Sequence, residues 1–291
     1  MHKKYLFTAL TAIVLLTIAC GINFNLPITT DIKTGPTTIQ EISIPRAGSA
    51  AETREITLNF GAGNLSLAPG AKNKLLEGTA TFNVPDLRPE INTLGSRVEI
   101  SNGSLEINGI PNFQERIIND WEFQLGDDPI DLNINVGAYV GNYELGELNL
   151  QNLHITDGAA EVKLNFAEPN RSVMNTLRYE TGASNISLSN LANANFETMI
   201  FRGGAGSYTL DFSGELQQDC HVFIETGLSN IVISVPEGRR VALHLEGGLS
   251  NASIRGNAWE AQGNEYTLPG DGPLLNITVE MGAGNLVLQN P

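Results

Sequence analysis

The feature that most constrains this chain is a recurring motif: a glycine, a small residue, glycine or serine, asparagine, then alternating apolar residues. It reads Gly61-Ala62-Gly63-Asn64-Leu65-Ser66-Leu67, Gly182-Ala183-Ser184-Asn185-Ile186-Ser187-Leu188, Gly227-Leu228-Ser229-Asn230-Ile231-Val232-Ile233, Gly248-Leu249-Ser250-Asn251-Ala252-Ser253-Ile254 and Gly282-Ala283-Gly284-Asn285-Leu286-Val287-Leu288. Looser copies start at Gly137, Gly158 and Gly204. From Gly137 the starting glycines are 21, 24, 22, 23 and 21 residues apart, and the last gap of 34 reads as one repeat with an insertion. Such a period belongs to architectures whose units stack on one another.

Glycine reaches positive φ without a Cβ penalty and asparagine tolerates the left-handed region, so the head of each copy reads as a corner. The Leu-Ser-Leu or Ile-Ser-Leu that follows has a period of two and puts branched residues on one face. One such strand cannot bury its apolar face alone. Stacking the copies about 4.8 Å apart aligns Leu65, Val162, Ile186, Tyr208, Ile231 and Leu286 as one inner ladder. A second ladder holds Leu67, Leu164, Leu188, Leu210, Ile233 and Leu288. A phosphate loop is disfavoured, because every copy runs into a strand and no Lys-Ser/Thr pair follows. The calcium β-roll repeat needs a regular aspartate that these copies lack. Asn-x-Ser/Thr triplets at Asn64, Asn102, Asn185 and Asn251 follow from the corner-plus-strand pattern.

The N-terminus has a targeting layout: basic His2-Lys3-Lys4, an apolar run from Tyr5 to Ala19, then Cys20-Gly21. That run is shorter than the roughly 20 residues of a membrane span, so residues 1–20 read as a cleaved signal. Leu16-Thr17-Ile18-Ala19-Cys20 resembles the lipobox of bacterial lipoproteins, with Thr17 where leucine is usual. The resemblance implies cleavage before Cys20 and lipidation of its thiol. The expected location is the extracytoplasmic face of a bacterial cell membrane, held by the lipid anchor. Residues 21–52, with Pro27, Pro36 and Pro45, read as an extended tether, with an irregular first strand over Ile39–Ile44 as the alternative.

Without residues 1–20 the chain keeps 15 basic and 32 acidic side chains, an excess that repels nucleic acid. Cys220 is then the remaining cysteine besides Cys20 and reads as a buried small apolar residue. The folded part, residues 53–291, suits one thin repetitive β core, with a subdivision marked near 111–130 where the pattern breaks. The short helical candidates Phe113–Phe123 and Pro169–Tyr179 read as insertions or caps between strands.

A hydrolase needs a nucleophile with a placed base or paired carboxylates. His154 in Leu153-His154-Ile155 and His244 in Leu243-His244-Leu245 alternate with inward leucines and read as solvent-facing. No His-x-x-x-His or Cys-x-x-Cys pairing suggests a metal. Asp127, Asp128 and Asp131 beside Pro129 form a weak calcium candidate, and Arg239-Arg240 reads as topping a turn. The reading is therefore not an enzyme, with no catalytic residue, cofactor or metal assigned. Carbohydrate binders display aromatic platforms; with Trp121, Trp259 and scattered Tyr139, Tyr143 and Tyr179, protein contacts are favoured.

From Trp121-Glu122-Phe123 onward an ordered series runs through Ile134-Asn135-Val136-Gly137-Ala138, Leu148-Asn149-Leu150, Gly158-Ala159, Pro169-Asn170, Leu191-Ala192-Asn193-Ala194-Asn195-Phe196, Gly203-Gly204-Ala205-Gly206, Leu210-Asp211-Phe212-Ser213-Gly214 and Val235-Pro236-Glu237-Gly238. This series resembles the toast-rack family of bacterial envelope proteins, similar to the C-terminal domains of LiaF-type cell-wall stress regulators. It covers roughly residues 55–291, best between 120 and 240. The resemblance implies a β-stacked, non-enzymatic module, acting as an interaction module with an envelope protein partner and as an adaptor in the envelope stress response. LiaF-type relatives carry transmembrane helices, whereas this chain has a lipobox and tether. The alternative function is a structural or glycan-associated surface lipoprotein. The expected fold is all-β: a single-stranded β-helix, or β-solenoid, of about eleven turns, with a twisted antiparallel β-sandwich as the alternative.

Overall fold

The computed structural model describes residues 30–46, 52–103, 111–112, 116–247 and 249–291. The signal segment 1–20 and Cys20 lie outside them, as do residues 21–29 and 47–51 of the expected tether. Two compact units are present. In one, β1 (Thr30–Asp31) pairs in parallel with β7 (Pro111–Asn112).

The other unit opens with β2 (Thr38–Pro45), β3 (Arg54–Pro69), β4 (Lys74–Phe82), β5 (Pro89–Leu94) and β6 (Arg97–Asn102). It continues through β8 (Asn119–Leu125), β9 (Pro129–Glu144), β10 (Asn149–Asn165), β11 (Met174–Ser189), β12 (Phe196–Asp211) and β13 (Cys220–Ser234). It ends with β14 (Gly238–Glu246), β15 (Leu249–Arg255), β16 (Glu260–Gln262), β17 (Glu265–Leu268) and β18 (Gly270–Gln289). These 16 strands form one mixed, mostly parallel sheet, in the order β16-β17-β14-β18-β13-β12-β11-β10-β9-β3-β8-β4-β2, with β15 beside β18 and the β5-β6 pair beside β3. The fold is all-β. Within the expected tether, Thr38–Pro45 forms β2, the strand weighed as the alternative. The helical candidates are corrected where described: Asn119–Leu125 and Met174–Ser189 are strands, because Trp121, Phe123, Leu125, Leu177 and Tyr179 point inward at a period of two, while residues 113–115 of the first candidate lie outside the described residues.

Each long strand bends once, at its motif. In β11 Leu177, Tyr179 and Thr181 face inward, Gly182 and Ala183 are both exposed, and Ser184, Ile186 and Leu188 face inward again. Two consecutive outward residues shift the inward set from odd to even numbers, so both halves of the strand face one core. Stacking follows the repeat: Leu132, Leu153, Leu177, Met199 and Val222 are successive partners. The predicted ladders form as drawn, with Gly141 and Tyr143 filling the β9 positions between Leu65 and Val162 and between Leu67 and Leu164. These parallel ladders exclude an antiparallel sandwich for the body.

Chain order and stacking order part company at both ends. Val222 pairs with Ile277 of β18, and β14 with β15 lies beyond β18. The last strand brings Leu275, Ile277, Val279, Met281, Leu286 and Leu288 inward, all buried, whereas the divided level beyond it brings Val241, Leu243 and Leu245 of β14 and the partly buried Ala252 and Ile254 of β15. The more apolar strand takes the position covered on both sides. At the other end the outer edge of β3 is shared by β6 (Leu58↔Ile100) and β8 (Leu65↔Trp121). Seven long strands between two divided levels give nine levels among the described residues, fewer than about eleven, because β2, β4, β5, β16 and β17 run antiparallel as caps.

The corner glycines are needed for proximity. A Cβ on Gly137, Gly158, Gly204, Gly227 or Gly282 would lie 2.5–2.8 Å from the carbonyl oxygen of the preceding glycine in the column, and closer still at Gly182. Positive φ, the expected reason, holds among the described motif residues only at the second glycine, at Gly63 (140°) and Gly284 (141°). The motif asparagines are not left-handed either; that conformation falls to Asn73, Glu147, Asn190 and Asn195. Inside the corner, polar groups pair. Tyr179 Oη donates to Asp157 Oδ2 (2.7 Å), Thr181 Oγ1 to Asp157 Oδ1, and Ser229 Oγ to Thr226 Oγ1 (2.8 Å). On the return loops, buried Asn170 accepts from the Leu150 amide (2.9 Å) and donates to its carbonyl (2.8 Å), joining neighbouring levels where the strands end.

Candidate functional site

A concavity of about 1000 Å³ lies on the outward face of the second strand halves, where β2 and β4 meet the parallel body. Its floor follows from the alternation. Leu67, Phe123, Tyr143 and Leu164 turn into the core, so the residues between them turn outward. Strand register then sets one row across the sheet: Glu41, Thr79, Glu122, Ser66, Asn142, Lys163 and Ser187. Neighbours in such a row stand about 4.8 Å apart. The strap fits closely because Gly78, at φ 154°, leaves no Cβ against the Glu122 carbonyl.

Charges in the groove divide into satisfied and free. Lys74 Nζ pairs with Glu77 at 2.8 Å. Glu144 accepts from Asn165 Nδ2 (2.6 Å) and from the amides of Gly146 and Ala167 (3.0 Å each), so its carboxylate holds the loop after β9. Glu41, Glu122 and Lys163 are exposed and enter no ion pair among the described residues. The groove serines have no histidine within hydrogen-bond reach, so the arrangement can bind but holds no activated nucleophile.

The other outward face carries a charge network. Arg178 Nη2 donates to Glu180 Oε1 at 2.6 Å, Arg202 reaches Glu180 (3.2 Å) and Glu225 (3.0 Å), and His154 approaches Glu180 at 3.5 Å. Hydrogen bonding from Arg178, joined by Arg202, holds the Glu180 carboxyl at about 2. Within the core, burial pushes Asp157 above the usual carboxylate range, against the lowering effect of Thr181 and Tyr179, and pushes Tyr208 up to about 12.

The residues singled out in the sequence are spread over the structure. Asp127 and Asp128 are ion-paired to Arg46, Arg171 reaches Asp127 at 3.7 Å, and Asp131 accepts from Asn152 Nδ2 at 2.7 Å; the calcium candidate is thus taken up by arginine and amide. Among the described residues no three His, Cys, Asp or Glu side chains are grouped to hold a metal. His154 and His244 face solvent, and His244 pairs with Glu265 at 2.6 Å. Arg239 closes a turn on the Gly214 carbonyl (2.6 Å). Cys220 is buried, its thiol pushed up to about 12 by desolvation. Trp121, Trp259, Tyr139, Tyr143 and Tyr179 are all core residues, so none is an exposed platform. The groove itself was missed, since seven separate strands supply it; the polar residue between each pair of inward apolar ones was the available signal.

Among the described residues no helix is long and apolar enough to cross a membrane. No curated protein matches the chain. A Clostridium sporogenes structure, provisionally named a cell adhesion protein, is 18% identical, with 88% of this chain and 100% of that one covered and a TM-score of 0.47. One from Bacteroides fragilis, provisionally named an adhesin, is 11% identical, covering 90% and 100%, with a TM-score of 0.40. One from Parabacteroides distasonis, provisionally named a lipid binding protein, is 12% identical, covering 89% and 99%, with a TM-score of 0.39. A family match begins earlier in the chain than the resemblance drawn from the motifs. The stretch that carries the antiparallel strap, most of the groove and the first three bent strands, residues 33–176, matches the N-terminal domain of toast_rack, DUF2154.

Proposed function

We propose that this chain is a non-enzymatic interaction module of the bacterial envelope. Residues 1–20 direct export, Cys20 carries the lipid anchor, and the folded body, a β-solenoid of one bent strand per turn, meets another envelope component through the groove. One observation carries this reading: free Glu41, Glu122 and Lys163 share one concavity of about 1000 Å³, whereas the outer network on β10 to β13 satisfies its charges internally. Exposed charges left unpaired in a concave site are available to a partner. The burial of all five candidate aromatics favours a protein component over a glycan.

Adaptor work in envelope stress fits a lipid-anchored body, which has a lipobox and tether where LiaF-type relatives carry transmembrane helices. The test places photo-crosslinking residues at Lys163 and Ser187, and at Glu280 on the other outward face, in the full lipidated chain in cells. Crosslinks to one defined species from the groove positions alone, changing with a cell-wall-active antibiotic, support the adaptor. Equal labelling from Glu280, or none from the groove, overturns the reading. Loss of palmitate labelling and membrane retention in Cys20→Ser tests the anchor; unchanged labelling refutes it.

A further inference from the structure

The rim of the groove is a sheet edge guarded by a single carboxylate, Glu41. Among the described residues β2 pairs with β4 and with no other strand, so one side of its backbone stays unpaired. At 8 residues it is the longest edge strand, against 7 for β15, 6 for β5 and 3 for β16. Proteins blunt such edges with lysine, proline, bulges or brevity. From Thr38 to Ile44 the strand has no lysine, proline or bulge; Pro45 and the register shift beside it come only at its end. Its two faces differ. Ile42 and Ile44 point into the core, and a pocket of about 390 Å³ lined by Ile44, Leu75, Ile91 and Val98 opens at their end. On the other face Ile39 is 67% exposed and Glu41 stands unpaired above the groove.

We propose that β2 is the docking strand for an extended segment of another protein in which basic and apolar residues alternate, added to the sheet as one further strand. This rests on the interaction-module reading and names the partner's chemistry. The edge supplies main-chain hydrogen bonds, and the alternating faces select side chains. Groove-side residues of the segment lie one strand spacing from Glu41, and those on the opposite side reach the pocket bordered by Leu75, Ile91 and Val98. Charge selects between partners. The chain carries a net charge of −15, so a second copy would set Glu41 and the acidic groove against themselves, while a basic segment is attracted. The carboxylate that discourages pairing between copies thus admits a cationic strand.

The probes are a seven-residue peptide of alternating lysine and valine and its glutamate–valine counterpart, titrated against the full chain by fluorescence anisotropy, with hydrogen exchange reporting the site. Expected are at least tenfold tighter binding of the lysine peptide, weakening with salt, and slowed exchange of amides 38–44. Glu41→Lys, at an exposed position that leaves the fold unchanged by circular dichroism, should weaken it about fivefold or more. Equal affinity for both peptides, protection elsewhere than 38–44, or no binding overturns the proposal, as does sedimentation showing copies that pair with one another through β2. Should the peptides fail while groove positions still crosslink one envelope species, the edge assignment falls and the module reading stands; silence in both assays removes both.

Discussion

Replacing Gly204 with alanine should destabilise the protein, while the same change at Gly61 should not. Both glycines open a copy of the motif. A Cβ on Gly204 would sit 2.5 Å from the Gly182 carbonyl oxygen, whereas one on Gly61 meets nothing nearer than Asn102 Oδ1 at 3.9 Å, because β6 and β8 leave a gap beside that corner. A comfortable carbon–oxygen contact is about 3.3–3.6 Å, so the Gly204 corner must open by roughly 1 Å. That carbonyl belongs to a strand paired on both sides and cannot retreat alone. Overpacking of this kind costs about 1–3 kcal/mol, and valine, with its branched Cβ, falls at or beyond the upper limit. At about 2–4 °C per kcal/mol for a domain of this size, Gly204→Ala should lower Tm by about 2–12 °C. Gly61→Ala should leave it unchanged or raise it slightly, since alanine restricts the unfolded chain by about 0.4–1 kcal/mol. Thermal unfolding by circular dichroism of the chain beginning at Gly21 decides it. Equal losses at both sites would mean that glycine is required for its backbone conformation, and the column argument would fail.

Three further outcomes follow from the titratable groups. The folded pKa of Asp157 is raised, so its contribution to stability is full below the usual carboxylate range and is lost as pH rises through the folded value. Asp157→Asn should therefore gain in Tm relative to the parent between pH 4 and pH 7, and a constant difference would contradict the burial argument. Glu180, held at about 2, behaves oppositely: its stabilisation is present above 4.5 and is lost as pH falls from there, so Glu180→Gln should show a shallower acid limb in pH-dependent unfolding. Cys220, buried with its thiol at about 12, should resist a thiol reagent at pH 8 until the protein is unfolded; rapid labelling of the native chain would show that the β13 start opens locally.

The body of the fold was legible because the evidence for it is local. Leu-Ser-Leu and Ile-Ser-Leu define an inward face by themselves, and a spacing near 22 residues places Ile186 beside Tyr208 and Tyr208 beside Ile231. The position of β18 was not legible, since it depends on a competition between the whole of Leu275 to Leu288 and the smaller set divided between β14 and β15 for one doubly covered site. The glycines were recognised as corners, but positive φ explains only Gly63 and Gly284, because the carbonyl each first glycine faces lies on the neighbouring level, 21 to 24 positions earlier in the body and 55 or 76 earlier at Gly282 and Gly137. The helical candidate ending at Phe123 failed because Trp121, Phe123 and Leu125 already alternate once Pro111 and Asn112 are set apart from them. The candidate site needed β2, β4 and β8 folded against β3, and the register of that antiparallel strap has no counterpart in the repeat.

This division also separates what stabilises the stack from what it presents. The inner ladders and the glycine column fix alternate positions, leaving the residue between each pair of inward apolar ones free to vary, and the chain fills that row with Glu122, Ser66, Asn142, Lys163, Ser187 and Thr209. Lys163 is exposed and unpaired between inward Val162 and Leu164. Its replacement by serine should therefore keep stability within about 0.5 kcal/mol of the parent, as surface substitutions away from special features do. A drop of several degrees in Tm would show that the lysine supports the fold and is not a free group of the groove. If the fold is unmoved, a change in what the groove captures can be assigned to the side chain itself, because the strand beneath it is held by Val162 and Leu164 on the opposite face.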